Sequence, residues 1–125
     1  MTVGQADAFA TARLNTYRGT NHTGITPYLK LHTGDPGSAG TANASAVTTR
    51  NAVTFAAPSG GSMALSSVAD YSMTTTETIS HGSFWDASTA GNFQESFAFT
   101  AGVPVINGST LTISTLTVSE APLAA

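Results

Sequence analysis

The chain has 125 residues, no cysteine, and a formal net charge of −3 from seven acids and four bases. No disulfide framework, thiolate metal site or thiol nucleophile is therefore available. Arg13, Arg18, Lys30 and Arg50 are too scattered to track a phosphate backbone, so a nucleic-acid partner is not expected.

Charged residues are only 9% of the chain, against roughly 25% in ordinary soluble domains; 21 threonines and 14 serines take their place. A surface so short of charge suits a protein covered by neighbours. The length fits a single domain over 1–125, divided into an N-terminal helix (1–19), a β body (27–119) and a tail (120–125). No run reaches the roughly 18 apolar residues of a membrane span, so no membrane partner is expected. The N-terminus lacks the basic-then-apolar pattern of a secretory signal, and synthesis in the cytoplasm follows as the expectation.

In the first 19 residues, Ala6, Phe9, Ala10, Leu14 and Tyr17 recur at spacings of three and four and predict one amphipathic helix ended by Gly19. Such a helix is marginal alone and has to dock on its own sheet or on a partner. A polar turn, Thr20 to Thr26, leads to Pro27 and a strand, Tyr28 to Thr33. Alternation puts Leu29 and Leu31 on one side and Tyr28, Lys30 and His32 on the other. Gly34-Asp35-Pro36-Gly37 carries strong turn chemistry. Ser38 to Thr49 has no period and reads as a long surface loop, the segment expected to reach a neighbour.

Short strands then follow at about ten-residue intervals. Val53 and Phe55 mark one, and Pro58-Ser59-Gly60-Gly61 turns into another at Met63 and Leu65. Val68 to Met73 alternates as a third, and Ile79 to Trp85 forms a fourth. After a small-residue loop, Ala87 to Asn92, the run Phe93 to Phe99 puts three phenylalanines on one face. Asn107-Gly108 is a tight-turn pair. From Ser109 to Ser119, Leu111 and Ile113 keep one phase while Leu116 and Val118 keep the other, which predicts a β-bulge near Ser114-Thr115. The pattern is mainly β: an antiparallel, jelly-roll-like β-sandwich with one N-terminal α-helix.

Catalytic signatures are missing: no phosphate-binding glycine loop, G-x-S-x-G or H-E-x-x-H occurs. Ser83, His81 and Asp86 form a triad only on paper, because geometry and not composition defines one. His32 with Asp35 could be half a metal site. The plainer reading leaves His32 on the polar side of its strand and Asp35 bonded within its own turn. Asp70, Glu77, Asp86 and Glu95 are thinly spread rim charges. Asn21, Asn43 and Asn107 begin glycosylation-type triplets and read as turn formers. Trp85 and Tyr71 could stack on a sugar, but a lone Trp at a strand end is more often an anchor. No enzyme activity, cofactor or metal is expected.

Four segments in order resemble a family of small bacteriophage virion proteins often labelled tail-fibre proteins. They are Tyr28 to Gly37, Thr49 to Phe55, Pro58 to Gly61, and Ile79 to Ala87 followed by Gly91-Asn92-Phe93. The resemblance covers roughly residues 27 to 118. It implies a non-catalytic β domain of the virion and brings no catalytic residues.

Without a heptad shaft or repeats, the first expectation is a capsid decoration or minor capsid protein that stabilises the particle through inter-subunit contacts. The alternative is a tail or tail-fibre component that binds a host receptor or carbohydrate. Expected partners are major capsid or tail proteins and copies of itself, in a homo-oligomer such as a trimer. The expected assembly interface comprises Phe9, Leu14, Tyr17, Arg18, Tyr28, Asp35, Pro36, Arg50 and Trp85.

Overall fold

The computed structural model describes residues 3–19 and 24–119. Residues 20–23, with His22 and the Asn21 triplet, and the tail at 120–125 lie outside the described residues. In chain order the elements are α1 (Asp7–Leu14), a 3₁₀ turn (Asn15–Arg18), β1 (Tyr28–His32), β2 (Asn51–Phe55), β3 (Ser62–Val68), β4 (Tyr71–Ser72), β5 (Glu77–Trp85), β6 (Phe93–Val105), β7 (Thr110–Leu111) and β8 (Thr117–Ser119).

The protein is mainly β, with antiparallel strands and one short helix. Six strands form one sheet in the order β6-β5-β1-β2-β3-β8, and β4 pairs with β7 in a ribbon. The inner strand β1 runs in full register with β5, from Tyr28 opposite Trp85 to His32 opposite His81. Leu29 and Leu31 are completely buried, as alternation from Tyr28 requires.

Leu29, Val53 and Phe84 form one apolar cluster, joined by Phe55, Leu65, Phe97, Leu116 and Val118. The outermost strands β6 and β8 thus reach the same cluster, so the sheet curls on itself. Phe84 packs tilted on Phe97 at 5.0 Å between centroids and edge-on to Phe55 at 6.0 Å, geometries that aromatic pairs favour. Leu31, Val47, Tyr71, Met73, Ile79, Val105 and Leu111 form a second cluster under the β4–β7 ribbon. Val68 and Ile113 pack against both, which makes the interior continuous and sandwich-like.

Several expected boundaries move, each for a physical reason. The helix starts at Asp7, because Gly4 to Ala6 are drawn into extended pairing with β6: Gln5 lies opposite Glu95, and the Ser96 and Ala6 N–H groups donate to Gly4 and Gln94 carbonyls, each at 2.7 Å. It ends in the 3₁₀ turn, and Gly19 (φ 78°) supplies the left-handed cap. No helix residue is fully buried. The third expected strand divides: Val68 closes β3 and only Tyr71–Ser72 continues as β4. The phase slip after Ile113 is no bulge. β7 pairs with β4, whereas β8 pairs with β3, so the chain changes partners and its inward side changes with them. The three phenylalanines of β6 also part company. The register shifts between Phe84 and Trp85, which turns Phe93 onto Trp85 while Phe97 packs on Phe84 and Phe99 on Phe97.

The segment after β1 folds back instead of extending. Thr33 N–H donates to the Asn43 carbonyl (2.8 Å), Ser45 N–H to the Leu31 carbonyl (3.1 Å) and Ala42 N–H to the Pro36 carbonyl (2.9 Å). Pro36, Ser45 and Val47 are buried, leaving the stretches around Ser38–Ala39 and Thr41–Ala44 exposed. Gly40, at φ 71°, lies where a Cβ would come within 2.5 Å of the Phe93 ring. The loop therefore roofs the second face of the sheet.

In the core, the Tyr71 hydroxyl donates to the Leu29 carbonyl at 2.6 Å, and burial pushes its phenol well above the ordinary range. Replacing Tyr71 with Phe removes that bond and is expected to cost about 1 kcal/mol. Urea denaturation should show a lower midpoint at unchanged slope. Gly40→Ala, which meets both the ring and the positive φ, should lower the midpoint as well.

Candidate assembly surface

On the roofed face, His32 is completely buried, contrary to the exposed polar side that alternation gives it. Its Nδ1 lies 2.9 Å from the Ala42 carbonyl and its Nε2 lies 2.8 Å from Ser83 Oγ. A carbonyl only accepts, so Nδ1 carries the proton and Nε2 accepts from the serine hydroxyl. Ser83 Oγ in turn accepts from Trp85 Nε1 at 2.9 Å. Three residues of two adjacent strands and one loop carbonyl thus form a closed chain of neutral hydrogen bonds. Burial, then the neighbouring charges of Lys30 and His81, push the imidazole below its ordinary 6.5, against the Ala42 bond.

Trp85 is the hub and is only 6% exposed. The Arg50 guanidinium lies 3.8 Å from its ring centroid, with Lys30 Nζ at 5.9 Å and the Phe93 ring at 5.6 Å. Arg50 Nη1 also donates to the Ala90 (2.6 Å) and Ala87 (3.2 Å) carbonyls, which fixes the loop after β5. That loop is clasped by Asp86, whose carboxylate accepts from Asn92 N–H at 2.6 Å and Asn92 Nδ2 at 3.0 Å. These bonds hold the Asp86 carboxyl below its usual range.

The side chains of the Ser83, His81 and Asp86 triplet engage different partners. Ser83 pairs with His32, His81 Nδ1 with Ser80 Oγ (2.8 Å), and Asp86 with Asn92. Asp35 accepts from Gly37 N–H within its own turn at 2.8 Å. Glu77 is engaged by Ser45 Oγ and, at 3.4 Å, by Ala46 N–H. Among the described residues no three His, Asp or Glu are grouped to hold a metal. Asn43 (φ 51°) and Asn107 both sit in turns.

The nine expected interface residues fall into two groups. Trp85, Arg50, Tyr28, Asp35 and Pro36 belong to the roofed face or its loop, where Trp85 and Pro36 are buried and the others half-buried. Phe9, Leu14, Tyr17 and Arg18 lie on the helix and its 3₁₀ extension. Leu14 is 64% exposed and Tyr17 90% exposed. Phe9 and Arg13 face a cleft of about 780 Å³ between the helix and the open end of the curled sheet, walled by Ile25, Pro27, Phe55, Met63, Phe84 and Val118. Glu95 also lines it; burial raises its carboxyl above the usual range, with Arg13 opposing. Sequence periodicity marks the helix stripe, but the cleft comes from distant strands and has no local signal.

The family model described as "Podophage GP4 fiber I protein gp80" matches residues 5–119. No curated protein matches the chain.

The buried imidazole gives a pH dependence of defined sign. Its native pKa is below the unfolded one, so between the two the unfolded chain binds a proton that the native chain does not. Stability is full above the ordinary imidazole range, falls as pH drops through it, and levels once native His32 also protonates. Urea titrations across this range should show that decline, and His32→Gln should flatten it. Ser83→Ala strands both Nε2 of His32 and the Trp85 N–H, and is expected to cost about 1–3 kcal/mol per orphaned group in the same measurement.

Proposed function

The chain belongs to the podophage GP4 fiber I protein family and has a structural role in the phage particle; from that premise we propose that it works without catalysis, as a fibre-type subunit joined to its neighbours through the helix flank. The observation that carries this reading is the helix itself. It buries no residue, displays Leu14 and Tyr17, and stands beside a largely apolar cleft. Eight helical residues do not sustain themselves in water, so a covering partner stabilises helix and contact together. Contacts that exist only in the particle stabilise the assembled state by mass action.

The roofed tryptophan weighs against carbohydrate stacking at Trp85, because Arg50, Phe93 and the loop take the space a sugar ring needs. Capsid decoration is the competing arrangement, and the fibre name of the family favours the tail. Partners on this reading are other virion proteins and copies of the chain.

Antibody labelling of whole particles, with copy number from quantitative mass spectrometry, decides between these. A small number of copies at the tail supports a fibre-type subunit, and hundreds spread over the head overturn it in favour of decoration. Replacing Leu14 and Tyr17 together with Ser should change the stability of the free chain by less than about 0.5 kcal/mol, as for exposed positions. It should sharply reduce incorporation into particles, read as copies per virion.

A further inference from the structure

The outermost strands of the curled sheet, β6 and β8, do not pair with each other. A slot of about 440 Å³ lies between them, floored by Phe84 and lined by residues 97–100 of β6 and 115–119 at β8. A pocket above a strand face is lined by alternate residues; consecutive residues mean that both strands turn their edges to the slot.

The hydrogen-bond phase agrees. On β6, the Gln94 carbonyl and the Ser96 N–H point outward, where Ala6 and Gly4 take them, and Ala98 repeats that phase. At β8 the Leu116 carbonyl turns inward to Leu65, so Thr117 turns outward. Among the described residues neither Ala98 nor Thr117 has a main-chain partner on that side.

We propose that this slot accepts an extended, uncharged strand from a neighbouring protein chain of the particle, laid antiparallel to β6, which closes the curled sheet by β-strand addition. The occupant follows from what the same edge already holds. Gly4 to Ala6 lie on it as an antiparallel strand, in register with Gln94 to Ser96, and the slot is the next stretch of that edge. Half-buried Phe97, Phe99, Leu116 and Val118 favour apolar side chains at alternate positions. Among the described residues of the lining Glu95 is the one ionisable group, and its carboxylate does not favour an acidic strand. The proposal rests on the chain working among neighbours, but its test needs only the isolated chain, so it stands or fails apart from the location of the protein in the particle.

The test appends a short strand of alternating Thr and Val to the full chain after Ala125 through a flexible Gly-Ser linker, which supplies a high effective concentration. The expected result is a Tm raised by several degrees and hydrogen exchange slowed about tenfold or more at Ala98 and Thr117. Two controls should abolish both effects: the same strand with Pro in place of each Thr, and Ala98→Pro in the chain, which removes an outward N–H without touching the β5 ladder. An unchanged Tm overturns the proposal. So does an equal gain with the Pro-containing strand, which would make the slot a general apolar pocket, and so does protection that appears away from β6 and β8.

Discussion

The hydrogen-bond chain from the Ala42 carbonyl through His32 and Ser83 to Trp85 is the constraint on which the rest of the fold depends. It links the loop after β1, two adjacent strands and the tryptophan in one buried path. Each bond is worth only about 1 kcal/mol net, yet leaving a buried partner unpaired costs more, so the path holds together or fails together. Trp85 so fixed gives Arg50 a surface to lie on, and Arg50 then reaches the carbonyls of Ala87 and Ala90. Phe93 packs on the same ring and fills the space that Gly40 leaves open.

The sequence segments that resemble phage fibre proteins converge largely on this place. The His32 strand and its Asp35 turn, Arg50, the Ser83-Phe84-Trp85-Asp86 run and the Gly91-Asn92-Phe93 close all contribute to one roofed face. The residues that would look catalytic in a list hold strands, loops and a tryptophan in position. This leaves the helix flank and the cleft beside it outside the roofed face.

Much of the fold was legible because period-two alternation is a local signal. Leu29 and Leu31, the turn at Asp35-Pro36, the strand ending at Trp85 and the Asn107-Gly108 turn all declare themselves within a few residues. What alternation cannot say is whether the second side of a strand meets water or another layer, and His32 was misplaced for that reason. The loop that covers it has no period because it packs through main-chain bonds and a few small side chains. The change of partner between Leu111 and Thr117 looked like a bulge because both produce the same phase slip locally. At the N-terminus, helix propensity lost to an open strand edge far along the chain. The cleft and the helix flank show the same division: the stripe was readable, but the walls, drawn from five distant segments, were not.

Three of the seven acidic side chains of this protein are engaged by neutral donors. Asp35 is held by a main-chain N–H, Glu77 by Ser45 and a main-chain N–H, and Asp86 by the main chain and amide of Asn92. Neutral donors at contact distance are not screened by dissolved ions in the way that separated surface charges are. A particle released from a cell meets a change of ionic strength, and joints fastened in this manner depend on it less than separated ion pairs do.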